Sequence, residues 1–329
     1  MVIVAVAGGT GGVGRTIVEA LVQQAKHQVI LLTRGVPKSD PLLDQIRQVQ
    51  VDYSDTTALV RILDHHEVHT IISAIGIISD ETSQSQLALI NAAAQSSATK
   101  RFIPSEYSFI QTEEYTPLDY YPFLRLAYNY SLLAIDPSIK YWLAAADLLK
   151  TTSLQFTRVI PGFFMDYWGM PFVRTNLQPF TFGIDIASCQ AAIPGDGNDV
   201  ICMTYTYDMA TFIVRLLDEE GWPEFSVIVG SQTTYNELLQ LAEELRGKKF
   251  QVVYDSADRI KEGNVTIPPM PTDTGYSVEE LKETTALVSR LTIAGVFDLP
   301  RENRLNARFP DIETTKLKDF LSQAWEGYQ

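Results

Sequence analysis

The strongest constraint on the fold lies at the amino terminus, where the apolar run Val2-Ile3-Val4-Ala5-Val6-Ala7 empties into Gly8-Gly9-Thr10-Gly11-Gly12-Val13-Gly14-Arg15. The run is short, unbroken and rich in β-branched residues, the pattern of a strand buried on both faces of a parallel sheet. Beyond the glycines the period changes, and Val13, Ile17, Ala20, Leu21 and Ala25 recur at helical spacing up to Lys26. Strand, glycine turn and helix in that order predict the opening unit of an α/β fold. Glycine is demanded there because a sharp strand-to-helix turn needs backbone angles closed to other residues. A pyrophosphate must also come within touching distance of main-chain N–H groups. Gly8, Gly11 and Gly14 fall at GxxGxxG spacing, and with Thr10, Gly12 and Val13 they predict a dinucleotide-binding turn.

Composition narrows the classes that remain. A chain of 329 residues suits one large α/β unit with a grafted second lobe, or two modest domains. Its net charge of −14 opposes direct binding to nucleic acid or to an anionic membrane surface. Two cysteines, Cys189 and Cys202, are too few and too far along the chain for a disulfide framework or a zinc cluster, and read as free thiols in a reducing compartment. No charged-then-apolar leader precedes the first strand and no apolar run nears membrane-spanning length, so the expectation is a cytoplasmic protein.

The second predicted strand covers residues 28–33, and its end is where an adenosine ribose lies in a dinucleotide fold. A cofactor without a 2′-phosphate calls for an acidic residue there. The chain offers Arg34, with Lys38 close behind and no acid before Asp40. A guanidinium there can grip a 2′-phosphate bidentately, which favours NADP(H) over NAD(H). An exposed arginine opening a surface loop would look the same in isolation; its position relative to the glycine turn favours the phosphate reading. A third strand over 49–52 places Asp52 and Tyr53 to touch the adenine, and Tyr53 reads equally well as a solvent-exposed turn residue. A helix over 57–66 and a strand over 68–74 follow, with Ala74, Ile75 and Gly76 as small or apolar residues where pyrophosphate and nicotinamide ribose pass. His65, His66 and His69 lack carboxylate or cysteine partners at supporting spacing and read as helix-end and loop residues, so no metal is expected. A helix over 86–98 leads to strand five.

Strand five and its exit read Lys100-Arg101-Phe102-Ile103-Pro104-Ser105-Glu106-Tyr107. Here the chain resembles the isoflavone-reductase-like and NmrA-like families, atypical short-chain dehydrogenases/reductases, and among them fungal NmrA-like oxidoreductases. Phe156-Thr157-Arg158, Pro161-Gly162-Phe163-Phe164-Met165-Asp166-Tyr167, Ala192-Ile193-Pro194-Gly195 and Tyr207-Asp208-Met209-Ala210 are similar to their counterparts. The resemblance runs over nearly the whole chain. It implies a Rossmann-like, doubly wound parallel sheet over residues 1–160, completed by 200–247, with a smaller C-terminal α+β substrate lobe from 161–199 and 248–329. It further implies that Pro104, Ser105 and Phe163 border the cofactor.

The catalytic group departs from pattern. Ordinary short-chain dehydrogenases pair a tyrosine with a lysine four residues later, and no tyrosine here has one. Isoflavone-reductase-like enzymes carry a lysine on the helix before strand six. Lys140 is the nearest counterpart but lies further out, and Ala145 stands where alignment from Tyr141-Trp142 would set a lysine. Lys140 is thus either at the nicotinamide or a solvated helix-start residue. Tyr141 shares its edge of the helix, and Glu106 either holds a proton or bonds to its loop. Aromatic residues crowd both strand exits: Tyr107, Phe109, Tyr115, Tyr120, Tyr121, Phe123, Tyr128 and Tyr130 in one segment, and Phe163, Phe164, Tyr167, Trp168 and Phe172 in the other. Such rings suit a flat, largely apolar substrate with a few polar atoms. The expectation is an NADP(H)-dependent reductase of an aromatic or alkaloid-like molecule. Two alternatives stay open: an NADP-sensing regulator with a protein partner, and a non-redox cyclase or isomerase using the cofactor as scaffold.

Overall fold

The computed structural model describes residues 1–36, 39–112, 132–272 and 275–328. From the amino terminus the elements are β1 (Ile3–Ala7), α1 (Gly12–Gln24), β2 (Gln28–Thr33), β3 (Arg47–Gln50), α2 (Thr56–His65), β4 (Thr70–Ser73), α3 (Asp80–Gln95), β5 (Arg101–Ile103), α4 (Leu132–Ile135), α5 (Ile139–Lys150) and β6 (Gln155–Phe156). The six strands form a parallel sheet in the order β3-β2-β1-β4-β5-β6. That order reverses direction between β1 and β4, the crevice at which open α/β sheets bind ligands. β1 is covered on both faces, as its apolar run demands. Val4 and Val6 join a core with Ile17 and Leu21 of α1, whereas Ala5 and Ala7 join one with Leu59 of α2, Leu89 of α3 and Leu149 of α5.

The sixth strand, at Phe156-Thr157-Arg158, is broken in two. Thr157 N–H donates to the Phe102 carbonyl at 3.3 Å, and the next N–H, Arg158, donates to the Glu224 carbonyl on the other side at 2.7 Å. The chain therefore passes from β6 to β7 (Arg158–Ile160), which pairs in parallel with a later strand, 225–227. The third helix also begins earlier than expected, at Asp80, because Ser79 and Thr82 form a capping box with threonine in the place usually held by Glu or Gln.

The remaining elements are β8 (Phe163–Phe164), α6 (Asp166–Gly169), β9 (Ile184–Asp185), β10 (Gln190–Pro194), β11 (Ile201–Thr204), α7 (Thr206–Leu216), β12 (Phe225–Val227), β13 (Ser231–Thr233), α8 (Tyr235–Arg246), β14 (Gln251–Asp255), α9 (Ala257–Lys261), α10 (Val278–Ile293), α11 (Leu305–Arg308) and α12 (Leu317–Trp325). α7 packs on α1, covering the sheet face opposite α2, α3 and α5. Two small three-stranded sheets, β13-β11-β8 and β14-β10-β9, stand apart from the large one. α10 starts at the expected Ser277–Glu280 capping box and runs on to Ile293. Among the described residues no helix is long and apolar enough to cross a membrane.

Candidate active site

The glycines of the turn have two distinct jobs. Gly8 has a φ of +79°, and a methyl there would lie 2.3 Å from the Ala74 carbonyl oxygen; one on Gly14 would lie 2.3 Å from the Gly8 carbonyl oxygen. Their bareness lets α1 close onto β1 and the end of β4. A methyl on Gly11 or Gly12, by contrast, would meet nothing within 4 Å. Gly11 is the N-cap of α1, with no side-chain cap, and no acid stands in the first turn. The positive end of the helix thus faces open ground, and Thr10 to Gly14 form a cradle that fits a pyrophosphate.

A cleft of about 1020 Å³ lies over the ends of β2 and β3. Arg34, Asp52 and Tyr53 line it together, facing Gln84 and Ala88 of α3. Tyr53 is buried at its back, and that burial pushes its phenol pKa up. Asp52 accepts from the Ser54 hydroxyl at 2.7 Å and its N–H at 2.8 Å, which lowers its pKa. Arg15, to which the sequence assigned no role, donates to both oxygens of Asp40, at 2.8 and 3.2 Å. Asp40 also accepts from the Leu42 and Leu43 N–H groups, and the Arg15 hydrogen bond leads in holding its carboxyl down to about 2. The loop after Arg34 is thereby fastened to α1. Lys38 lies outside the described residues.

At the other end, Ala74 N–H pairs with the Ala7 carbonyl, Ile75 is buried, and Gly76 has open space beside it. Pro104 and Ser105 are positioned from α3, whose buried Gln86 accepts the Ser105 N–H at 2.8 Å. Tyr107 reaches back across the gap, its hydroxyl donating to the Ser73 carbonyl at 2.8 Å. Gln86 was read only as a helix residue, since a glutamine within a helix carries no signal of a partner 19 residues away.

The three candidate catalytic groups divide. Glu106 is only 2% exposed and takes two hydrogen bonds from Arg158, each 2.6 Å long. Burial pushes its carboxyl up, to about 7, against the opposing pull of that guanidinium. Arg158 also donates to the Gln111 carbonyl at 2.6 Å and lies 4.7 Å from the Phe225 ring. Lys140 has a side chain 57% exposed, 3.7 Å from Asp80 at the start of α3, with its ammonium 4.8 Å from the Tyr141 ring centre. The structure therefore gathers Lys140, Tyr141 and Asp80 at one place, while Glu106 is clamped by Arg158. Among the described residues no hydrogen bond or ion pair joins Glu106 to Lys140 or Tyr141, and no group of His, Cys, Asp and Glu is placed to hold a metal.

Phe163 is buried at the centre of an aromatic cluster, with ring centres 4.9 Å from Phe297, 5.0 Å from Phe182, 5.2 Å from Trp168 and 6.3 Å from Tyr167. Next to the cluster a cavity of about 610 Å³ is walled by Tyr167, Trp168, Leu177, Phe180, Met270 and Trp325. Phe172 is turned outward against Trp325 and Tyr328. Tyr115, Tyr120, Tyr121, Phe123, Tyr128 and Tyr130 lie outside the described residues.

A family model described as NAD(P)H-binding matches residues 8–178. Over 99% of this chain and 98% of the relative, the sequence is 34% identical to oxidoreductase swnN of Metarhizium robertsii. The chain belongs to the NAD(P)H-binding oxidoreductases. Its fold matches the binary complex of leucoanthocyanidin reductase with NADPH from Vitis vinifera with a TM-score of 0.73 at 18% identity, over 98% of this chain and 99% of that one. It also matches AtPrR2 with NADP+ and (+)-pinoresinol with a TM-score of 0.71 at 19% identity, over 97% of each chain. In this NAD(P)H-binding oxidoreductase the residues fit NADP(H): the uncapped α1 and its bare Gly11 and Gly12 suit the pyrophosphate, and the cleft beside Arg34 has room for the adenosine.

Proposed function

We propose that this oxidoreductase reduces a C=C, C=N or C=O bond of an aromatic or alkaloid-like small molecule of secondary metabolism, using NADPH. The observation that carries the reading is the ring-walled cavity of about 610 Å³ beside the Phe163 cluster. Residues 1–160 with 200–247 form the cofactor-binding unit in this reading, and 161–199 with 248–329 the substrate lobe. The (+)-pinoresinol held by AtPrR2 is a ring-bearing molecule too, which supports the substrate class.

NADPH, when bound, supplies the hydride. The chain supplies the rest. Thr10 to Gly14 hold the pyrophosphate by main-chain N–H groups and helix charge, and Arg34 reads the 2′-phosphate. Ala74, Ile75, Gly76, Pro104, Ser105 and Phe163 shape the nicotinamide end. Lys140 and Tyr141 provide the proton, the ammonium stabilising a developing phenolate beside it. Glu106, fixed by Arg158, positions the exit of β5 and keeps Pro104 and Ser105 in place.

Loss of NADPH absorbance on incubation with a panel of ring-bearing pathway intermediates tests this. Turnover abolished by Lys140→Ala and Tyr141→Phe, with NADPH affinity retained, is the expected result. Binding of NADPH without any turnover across the panel would instead favour the sensing or scaffold roles.

A further inference from the structure

Two polar groups on the wall of the cavity beside the Phe163 cluster are already engaged. Asp185 accepts from the Ala187 N–H at 3.1 Å and from the Ser188 hydroxyl, and the Thr175 hydroxyl donates to Asp166 at 2.8 Å. Tyr167 is different. It lines the same cavity, and its hydroxyl has no hydrogen-bond partner among the described residues. Nor is that hydroxyl walled off: the unpaired indole N–H of Trp168 is sealed inside protein, and the Tyr167 oxygen is not. The packing gives the side chain its direction. Its ring is held edge-on by Phe182 at 4.7 Å and by Phe163 at 6.3 Å, which leaves the phenolic tip as the free end. Burial leads in pushing the phenol pKa up, followed by the charges of Asp166 and Tyr276. Tyr276 in turn sets its ring 5.9 Å from that of Phe180, another residue of the wall. An oxygen that is deep in the protein, still open, and within electrostatic reach of Tyr276 faces the cavity on the side that Phe180 forms.

We propose that the Tyr167 hydroxyl donates to a carbonyl or imine acceptor of the ring-bearing molecule seated in this cavity, making Tyr167 a specificity-determining residue. This rests on the reading of the cavity as the substrate seat. A phenol is a stronger donor than a threonine hydroxyl, and a ring locked between Phe163 and Phe182 fixes where that donor stands. No lysine, arginine or histidine lines the cavity to compete for the acceptor. Phe180, Met270 and Trp325 supply ring and thioether surface for the apolar body. A largely apolar site with a donor at one place discriminates against a ligand that leaves the donor unpaired.

The test uses enzyme saturated with NADP+, which has no hydride to give, and two probes that share one bicyclic ring, 2-acetonaphthone and 2-ethylnaphthalene. Calorimetry is expected to show the ketone binding about tenfold more tightly than the hydrocarbon, the size of effect one added hydrogen bond gives. Tyr167→Phe keeps the ring and removes only the hydroxyl. It is expected to leave the hydrocarbon unchanged and bring the ketone down to its level. Equal binding of ketone and hydrocarbon by the unaltered enzyme, a comparison that needs no variant, would overturn the proposal. So would a ketone preference that survives in Tyr167→Phe, which would give the bond to another wall hydroxyl such as that of Thr181. Binding of neither probe would overturn it as well. Failure of the underlying NADP(H) reading shows separately, as absence of NADP+ binding in the same calorimeter.

Discussion

One added methyl group separates the two tasks of the glycine turn. Gly8→Ala forces a side chain onto a φ of +79° and drives it toward the Ala74 carbonyl, costing about 1–3 kcal/mol in backbone strain alone. Gly11→Ala puts the same methyl into open space on an extended backbone, where the loss of stability stays within about 1 kcal/mol. Urea midpoints should therefore fall for the first variant and hold for the second, while NADPH affinity should drop at least about tenfold in the second, because the methyl occupies the pyrophosphate's ground. Retained affinity in Gly11→Ala would remove the cradle from the account. Arg34 makes a separate claim. Arg34→Ala is expected to weaken NADPH by roughly 10- to 100-fold, the range of a lost charge-assisted contact, and to leave NADH untouched. Equal losses for both cofactors in a paired titration would show that Arg34 does not read the phosphate.

Strand exits, more than helices, are where long-range pairing decides the geometry. Glu106 after β5 and Arg158 at the start of β7 are 52 residues apart and bind each other out of water. Arg158→Met strips the buried carboxyl of its counter-charge, a change expected to cost about 3–5 kcal/mol. The sign with pH follows from burial, which already raises Glu106 to about 7. Removing the guanidinium raises it further, so the folded variant holds a proton that the unfolded chain releases near its ordinary value of about 4.3. Stability from that group is then present at low pH and is lost as pH rises. The deficit of Arg158→Met should thus be larger at about pH 8 than at about pH 5 in denaturant melts, and a deficit independent of pH would rule out the buried pair as its origin. The same elements show what could be read in advance. β1, the turn and α1 were legible because periodicity and glycine chemistry are local, and Arg34, Asp52 and Tyr53 meet in one cleft because the strand order dictates it. The start of α3 was not legible, since Thr82 replaces the usual capping acid. Neither were the partners of Glu106, Lys140 and Ser105, which come from distant elements and leave no trace in local pattern.

The cofactor cradle and the ring-walled cavity are joined by shared packing. Trp142 packs against both the cluster behind α3 and the one around Phe163, and Tyr167 bridges the latter to the cluster beneath α1. On the solvent side Glu19 of α1 accepts from Arg15 at 3.1 Å, Arg174 at 2.6 Å, Asn176 at 3.3 Å and Tyr207 at 2.6 Å. It ties the cradle helix to α7 and to the segment that carries Thr175 and Leu177 into the cavity wall. Cores interlocked in this way should unfold together. Of the four tryptophans, Trp168 and Trp325 fall in the proposed substrate lobe and Trp142 and Trp222 in the proposed cofactor-binding unit, so their fluorescence reports on both. NADPH at a hundredfold excess over its Kd stabilises the folded chain by about 2.7 kcal/mol. If the halves are coupled, tryptophan fluorescence and far-ultraviolet dichroism should show one transition that moves upward by the same several degrees. Two transitions, with only one of them responding to NADPH, would mean that the cavity folds and moves independently of the cradle.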